Sequence, residues 1–233
     1  MSSSAPVPLV PLVPLVVAID GPSGSGKSST SRGVAARLGL RYLDTGAMYR
    51  GMTWWMLENG VDVGDPSAVA ARVREARIES GTDPLAPTIT VDGVDVAAAI
   101  RGEAVTGAVS PVSAVPEVRA VLLELQRSII AADGGIVVEG RDIGSVVAPD
   151  APVKVYLTAD PEARALRRAA EEGGSDVAAT QQSLLARDRI DSGRTVAPLT
   201  MAEGAVHLDT TPYSLDEVIG LVVDLVEAVE ASA

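Results

Sequence analysis

A chain of 233 residues with 47% hydrophobic side chains is long enough for one large domain and too apolar to remain disordered. It has no cysteine and one histidine, His207, which excludes disulfides, thiolate zinc sites, cysteine nucleophiles and multi-histidine metal clusters. A net charge of −12 weighs against nucleic acid or an anionic membrane as a partner, and of 19 basic side chains only Lys27 and Lys154 are lysines.

Residues 1–14 carry Pro6, Pro8, Pro11 and Pro14 and no Lys or Arg. The positive segment of a signal peptide is missing, and the prolines break the apolar stretch well short of a bilayer span. A disordered or extended tail on a soluble cytoplasmic protein is the expectation. Residues 15–20 form a short continuous apolar run, the pattern of a buried parallel strand. A helix is predicted over Lys27 to Leu38, a strand over 41–44 and a helix from about 46 to 59. Further buried strands are predicted at 135–140, 153–158 and 205–209, with helices at roughly 116–132, 161–172, 176–192 and 214–231. Strands that alternate with helices imply a parallel sheet covered on both faces. The rhythm breaks between about 65 and 112, where Asp92-Gly93 stands between apolar residues as a hairpin signal. Together with residues 76–80 it predicts a small antiparallel sheet inserted into the α/β core, and an insertion of that size usually carries function.

The sequence GPSGSGKSS at 21–29 matches G-x-x-x-x-G-K-[ST] through Gly21, Gly26, Lys27 and Ser28. Glycines let backbone N–H groups turn inward around an anion, and the following helix N-terminus adds positive potential. Gly21, Pro22, Ser23, Gly24, Ser25, Gly26, Lys27, Ser28 and Ser29 are thus the candidate nucleotide-binding loop. Lys27 is expected at the β- and γ-phosphates, and the Ser28 hydroxyl on Mg²⁺. The predicted strand before the loop and helix after it supply the confirming context. A guanine-selecting [NT]-K-x-D motif is absent, which disfavours a GTPase switch and leaves transfer to a small acceptor as the leading reading.

Five further segments bear on the acceptor: DTGAMYR at 44–50, SPVSAVPEVR at 110–119, EGRDIG at 139–144, RALRR at 164–168 and RDRIDSGR at 187–194. Singly, each has an ordinary structural alternative: core packing for Tyr49, a solvated helix face for Arg164, Arg167 and Arg168. Their combination and order, with RTVAPL at 194–199, resemble the bacterial cytidylate kinases over residues 15 to 231. The resemblance implies an α/β P-loop kinase core with a parallel five-stranded sheet flanked by helices. It also implies a monophosphate-binding insertion at 65–112 and a helical lid at about 160–192, within one kinase domain over 15–233. The implied activity is MgATP-dependent phosphorylation of CMP and dCMP by a monomer.

By motif, Arg50, Arg141 and Arg194 resemble the clamp on the CMP phosphate, and arginine's planar fork of donors suits phosphate oxygens. Ser110, Arg119 and Asp142 resemble the group that reads cytosine. A carboxylate there accepts from the exocyclic amino group, where uracil has a carbonyl instead. Arg187 and Asp191 resemble the ribose-binding pair, four residues apart on one helix face. Arg164 and Arg168, with Arg194, are candidates for the transferred phosphoryl group, and which of them approaches it is left open. Thr45, where Ser also occurs in the family, is a candidate CMP contact. Glu139 stands where DGRD is common, and either orders magnesium through water or makes structural hydrogen bonds.

Overall fold

The computed structural model describes residues 15–171, 174, 176–193 and 199–232, without the side chains of Arg187 and Asp191. The expected tail at 1–14, Arg194 and the Arg187 and Asp191 side chains therefore lie outside the described residues.

In chain order, β1 (Val16–Asp20) leads into α1 (Lys27–Leu38), β2 (Arg41–Asp44) and α2 (Thr45–Glu58). Next come α3 (Pro66–Arg72), β3 (Ile78–Ser80), β4 (Ile89–Val91), β5 (Val94–Asp95), α4 (Glu103–Ala114) and α5 (Pro116–Ile130). The chain then re-enters the core as β6 (Ile136–Gly140), β7 (Val153–Thr158), α6 (Pro161–Glu171), α7 (Val177–Ser192), β8 (Val206–Asp209) and α8 (Leu215–Glu230). The main sheet runs β2-β6-β1-β7-β8, and every pairing in it is parallel.

Because successive strand residues face opposite ways, a sheet covered on both sides needs apolar residues at every position. In β1, Val17 and Ile19 pack with Val34 and Ala35 of α1 and with Val218, Ile219, Val222, Val223 and Val226 of α8. The intervening Ala18 faces the other layer, formed by Met48, Met52, Trp55 and Met56 of α2 with Val118 and Leu122 of α5. Each fully buried Val or Leu contributes about 1.5–3 kcal/mol, so the two layers together hold the sheet.

The inserted antiparallel sheet orders as β3-β4-β5. It turns at Asp92, whose φ of 52° is unusual for a residue with a side chain. Its carboxylate accepts from the Trp55 indole N–H (2.7 Å) and the Arg77 amide (2.9 Å), which ties the hairpin to α2.

Two helices in this region were not predicted. α3 begins at Pro66 behind the Asp65 cap, within a stretch whose Gly and Asp content reads as loop. α4 contains Pro111, ordinarily a helix breaker, yet buries Val105, Val109 and Val112 against the core. Sequence reading likewise missed the wide turn at Ile143–Val147. It closes through i→i+5 bonds, Asp142 C=O to Val147 N–H (3.2 Å) and Ile143 C=O to Ala148 N–H (2.8 Å).

Candidate active site

The loop at 21–26 leaves the carboxyl end of β1, where open α/β sheets place their ligands. Gly21 has φ +147°, and a β-carbon there would sit 2.0 Å from the Leu157 carbonyl oxygen, so only glycine fits. Gly24 (φ +77°) and Gly26 (φ +85°) turn the loop back onto the start of α1. The Pro22 carbonyl accepts from Ser25 Oγ (3.0 Å) and from Lys27 Nζ (2.7 Å), so the lysine is folded over its own loop. Burial lowers the Lys27 pKa below the usual ammonium range, and the nearby Arg141 adds to this while Glu139 and Asp20 oppose it. An incoming phosphate would supply the missing negative charge.

A cleft runs from this loop to the inserted region. Its walls include Ser23, Gly24, Gly26, Lys27, Ser28 and Ser29 on one side, and Thr45, Arg50, Ser110, Arg119, Arg141 and Asp142 on the other. Glu139, bonded to both Ser28 and Thr45, lies between them, and Arg168 also lines the cleft. Segments separated by up to 145 residues in the chain thus meet around one space.

On the floor of the cleft, Glu139 Oε2 accepts from Ser28 Oγ at 3.0 Å, and its other oxygen accepts from the buried Tyr42 hydroxyl. Burial, reinforced by Asp44, pushes the Glu139 carboxyl above the usual carboxylate range, and Lys27 and the two hydroxyls counter that rise. Thr45 Oγ1 donates to the Glu139 carbonyl (2.7 Å), a bond that fixes the end of β6 against the start of α2.

Arg119 on α5 and Asp142 after β6, which both line the cleft, form a buried ion pair, each residue less than 10% exposed. The Arg119 guanidinium also lies over the Tyr49 ring, 5.7 Å from its centroid. Ser110 on α4 is buried beside them. Arg50 on α2 reaches across to the Ile100 carbonyl (2.9 Å) and Thr106 Oγ1 (3.0 Å), and Arg141 donates to the Gly21 carbonyl (2.6 Å).

The three arginines of α6 separate by role. Arg164 is buried, donating to the Ser23 carbonyl (3.1 Å) and pairing with Asp188 of α7 (2.5 Å). Arg167 bonds both the Thr210 hydroxyl and carbonyl at 2.9 Å. Arg168 alone of the three borders the cleft. Helical spacing could not assign these roles, because it does not say which face meets the loop.

The cleft thus joins the glycine-rich loop to a buried Arg–Asp pair. The family model described as cytidylate kinase matches residues 17–228. The chain belongs to the cytidylate kinase family. A cytidylate kinase from Streptomyces griseus is 61% identical over 218 residues, 93% of this chain and 94% of that protein. The Nocardia farcinica cytidylate kinase is 57% identical over 207 residues, covering 87% and 89%. The cytidylate kinase of Mycobacterium leprae is 49% identical over 215 residues, covering 91% and 95%. This cytidylate kinase fold also brings to the cleft Arg101, which lies outside the quoted motifs, and Asp44 and Ser113, which lie within them but were given no role. Among the described residues, no helix is long and apolar enough to cross a membrane.

Proposed function

We propose that this chain transfers the γ-phosphoryl group of ATP to CMP and dCMP, giving CDP and dCDP. The reading rests on one observation above the others: the buried Arg119–Asp142 pair opens onto the same cleft as the phosphate loop. The acceptor phosphate is already anionic, so no protein nucleophile is needed, and catalysis reduces to positioning and charge stabilisation.

The loop N–H groups and the N-terminus of α1 hold the donor phosphates, and Lys27 swings from the Pro22 carbonyl to the β- and γ-phosphates. Arg50, Arg141 and Arg194 clamp the acceptor phosphate. Ser110, Arg119 and Asp142 read the base, with the carboxylate accepting from the cytosine amino group. Arg187 and Asp191 bind the ribose hydroxyls. Thr45 borders the acceptor phosphate, and its hydroxyl bond to β6 fixes that border. Arg168 and Arg194 reach the transferring group, while Arg164 supports them by holding the loop to α7.

Hard oxygen donors suit Mg²⁺, and the Ser28 hydroxyl with the Glu139 carboxylate beside it offers such a pair. Those two residues would hold the ion, Glu139 through water, and the ion would neutralise charge on the donor phosphates. The segment 65–112 serves as the monophosphate-binding insertion and about 160–192 as the lid, within one kinase domain. The enzyme works as a cytoplasmic monomer on free nucleotides, not on nucleic acid.

The test is a coupled ADP-release assay with MgATP and CMP, dCMP, UMP or AMP. Turnover of CMP and dCMP is expected, and turnover of AMP or UMP without CMP would overturn the reading.

A further inference from the structure

Asp20, the last residue of β1, is buried at 3% exposure; it adjoins Gly21 of the loop, acts on Lys27 through its charge, and stands behind the side chains that line the cleft. Its two carboxylate oxygens each accept one backbone N–H, Oδ1 from Ile143 and Oδ2 from Gly144, both at 2.8 Å. The next residue, Gly21, accepts from the Arg141 guanidinium at 2.6 Å through its carbonyl oxygen. Two consecutive residues at the root of the donor loop therefore grip 141, 143 and 144. Asp142, which carries the base-reading carboxylate, lies enclosed by these three attachments.

A polar side chain this deep costs free energy unless its hydrogen bonds are made, and the two N–H groups satisfy both oxygens in nearly equal geometry. The turn they hold needs such support. It opens a wide i→i+5 coil, a rare conformation with poor intrinsic stability, and residue 142 itself lies outside regular helical dihedrals (φ −145°, ψ 28°). Gly144 also packs closely, since a β-carbon there would approach the Ala202 and Lys154 side chains within 3.2 Å.

We propose that Asp20 is a positioning residue for the acceptor: its carboxylate holds the 141–144 turn so that Arg141 and Asp142 stand at a fixed offset from the donor loop. This role rests on the assignment of the cleft to a cytidine monophosphate acceptor. It predicts an effect confined to the acceptor, although Asp20 immediately precedes the donor loop in the chain. A catalytic or metal-binding role for the same carboxylate would instead appear in the donor's kinetics.

The experiment compares wild type with Asp20→Asn and Asp20→Ser in steady-state assays that vary CMP, UMP and MgATP separately, with CMP affinity measured by calorimetry without ATP. Asn keeps one accepting oxygen and sets an NH₂ group against the second backbone N–H, and Ser is too short to reach both. Both variants should raise KM and Kd for CMP about tenfold or more and lower the CMP-to-UMP ratio of kcat/KM. KM for MgATP should stay within about twofold, with a similar magnesium optimum. Equal rises in the KM values for CMP and MgATP, an altered magnesium optimum, or unchanged CMP affinity and selectivity would each overturn the proposal. If one variant fails to fold, the other and the calorimetry still decide it. Wild-type turnover of CMP in the same assay tests the underlying reading separately.

Discussion

Asp142→Asn is the substitution that most directly separates base reading from simple structural support. The change is nearly isosteric and keeps one accepting oxygen, but it removes the charge opposite Arg119, a residue 8% exposed whose guanidinium lies over the Tyr49 ring. Complete loss of one partner from a buried pair costs about 3–5 kcal/mol, whereas weakening a charge-assisted hydrogen bond costs about 1.5–3 kcal/mol. The second range applies here, because the amide oxygen still accepts. In a chain of this size each 1 kcal/mol moves Tm by about 2–4 °C, so a fall of about 3–12 °C is expected. The same loss at the cytosine amino group lowers the CMP-to-UMP ratio of kcat/KM by roughly 10- to 100-fold. Initial rates on the two acceptors at saturating MgATP, with thermal melts on the same preparation, measure both. A lowered Tm with an unchanged acceptor ratio would refute base reading and leave Asp142 as a purely structural partner.

Lys27→Ala should cut kcat by about 10³-fold or more with a melting curve close to wild type, as measured by the coupled assay and far-UV circular dichroism. Gly21→Ala forces a β-carbon to within 2.0 Å of a backbone oxygen, so it should lower Tm by several degrees and abolish nucleotide binding in calorimetry. The Asp20 carboxyl is pushed up from its ordinary 3.8 to about 6 by burial, which outweighs the two N–H bonds it accepts. The folded state therefore holds this proton more tightly than the unfolded chain, and the stability it brings is complete below about pH 4 and lost as pH rises through 6. The difference in Tm between wild type and Asp20→Asn should accordingly grow as pH falls from 7 to 4, and a flat difference would contradict the raised value.

The main sheet was legible because short, mainly apolar segments alternate with helices along the chain, and each of its five strands lies within a residue of its expected bounds. α4 escaped notice because a local rule, proline as helix breaker, lost to burial of three valines against the core. The wide turn after Asp142 was not legible, since two of its backbone N–H groups are taken by Asp20, more than 120 residues earlier, and no local pattern announces that partner. At the site, short motifs indicated which residues converge, but not how they are supported. Arg164 and Arg168 share one helix and four residues of spacing, yet one is buried under the loop and the other borders the cleft. The rotation of α6 against the loop and α7 decides that difference, and it is set by tertiary packing. Tyr42, whose hydroxyl anchors Glu139, reads in sequence only as an aromatic residue in a strand.

β1 and β6 lie side by side, with Ala18 opposite Val138 and Asp20 opposite Gly140. The loop at 21–26 and the turn at 141–144 therefore leave neighbouring strands at the same rung, about 4.8 Å apart in the hydrogen-bonding direction. Sliding one strand by a single residue would displace the two halves by about 3.3 Å and turn every side chain of that strand to the other face. A misplacement of about 1 Å between reacting groups can already cost about a hundredfold in rate. The pairing that buries the hydrophobic core thus also acts as the ruler that sets the gap across which the phosphoryl group travels.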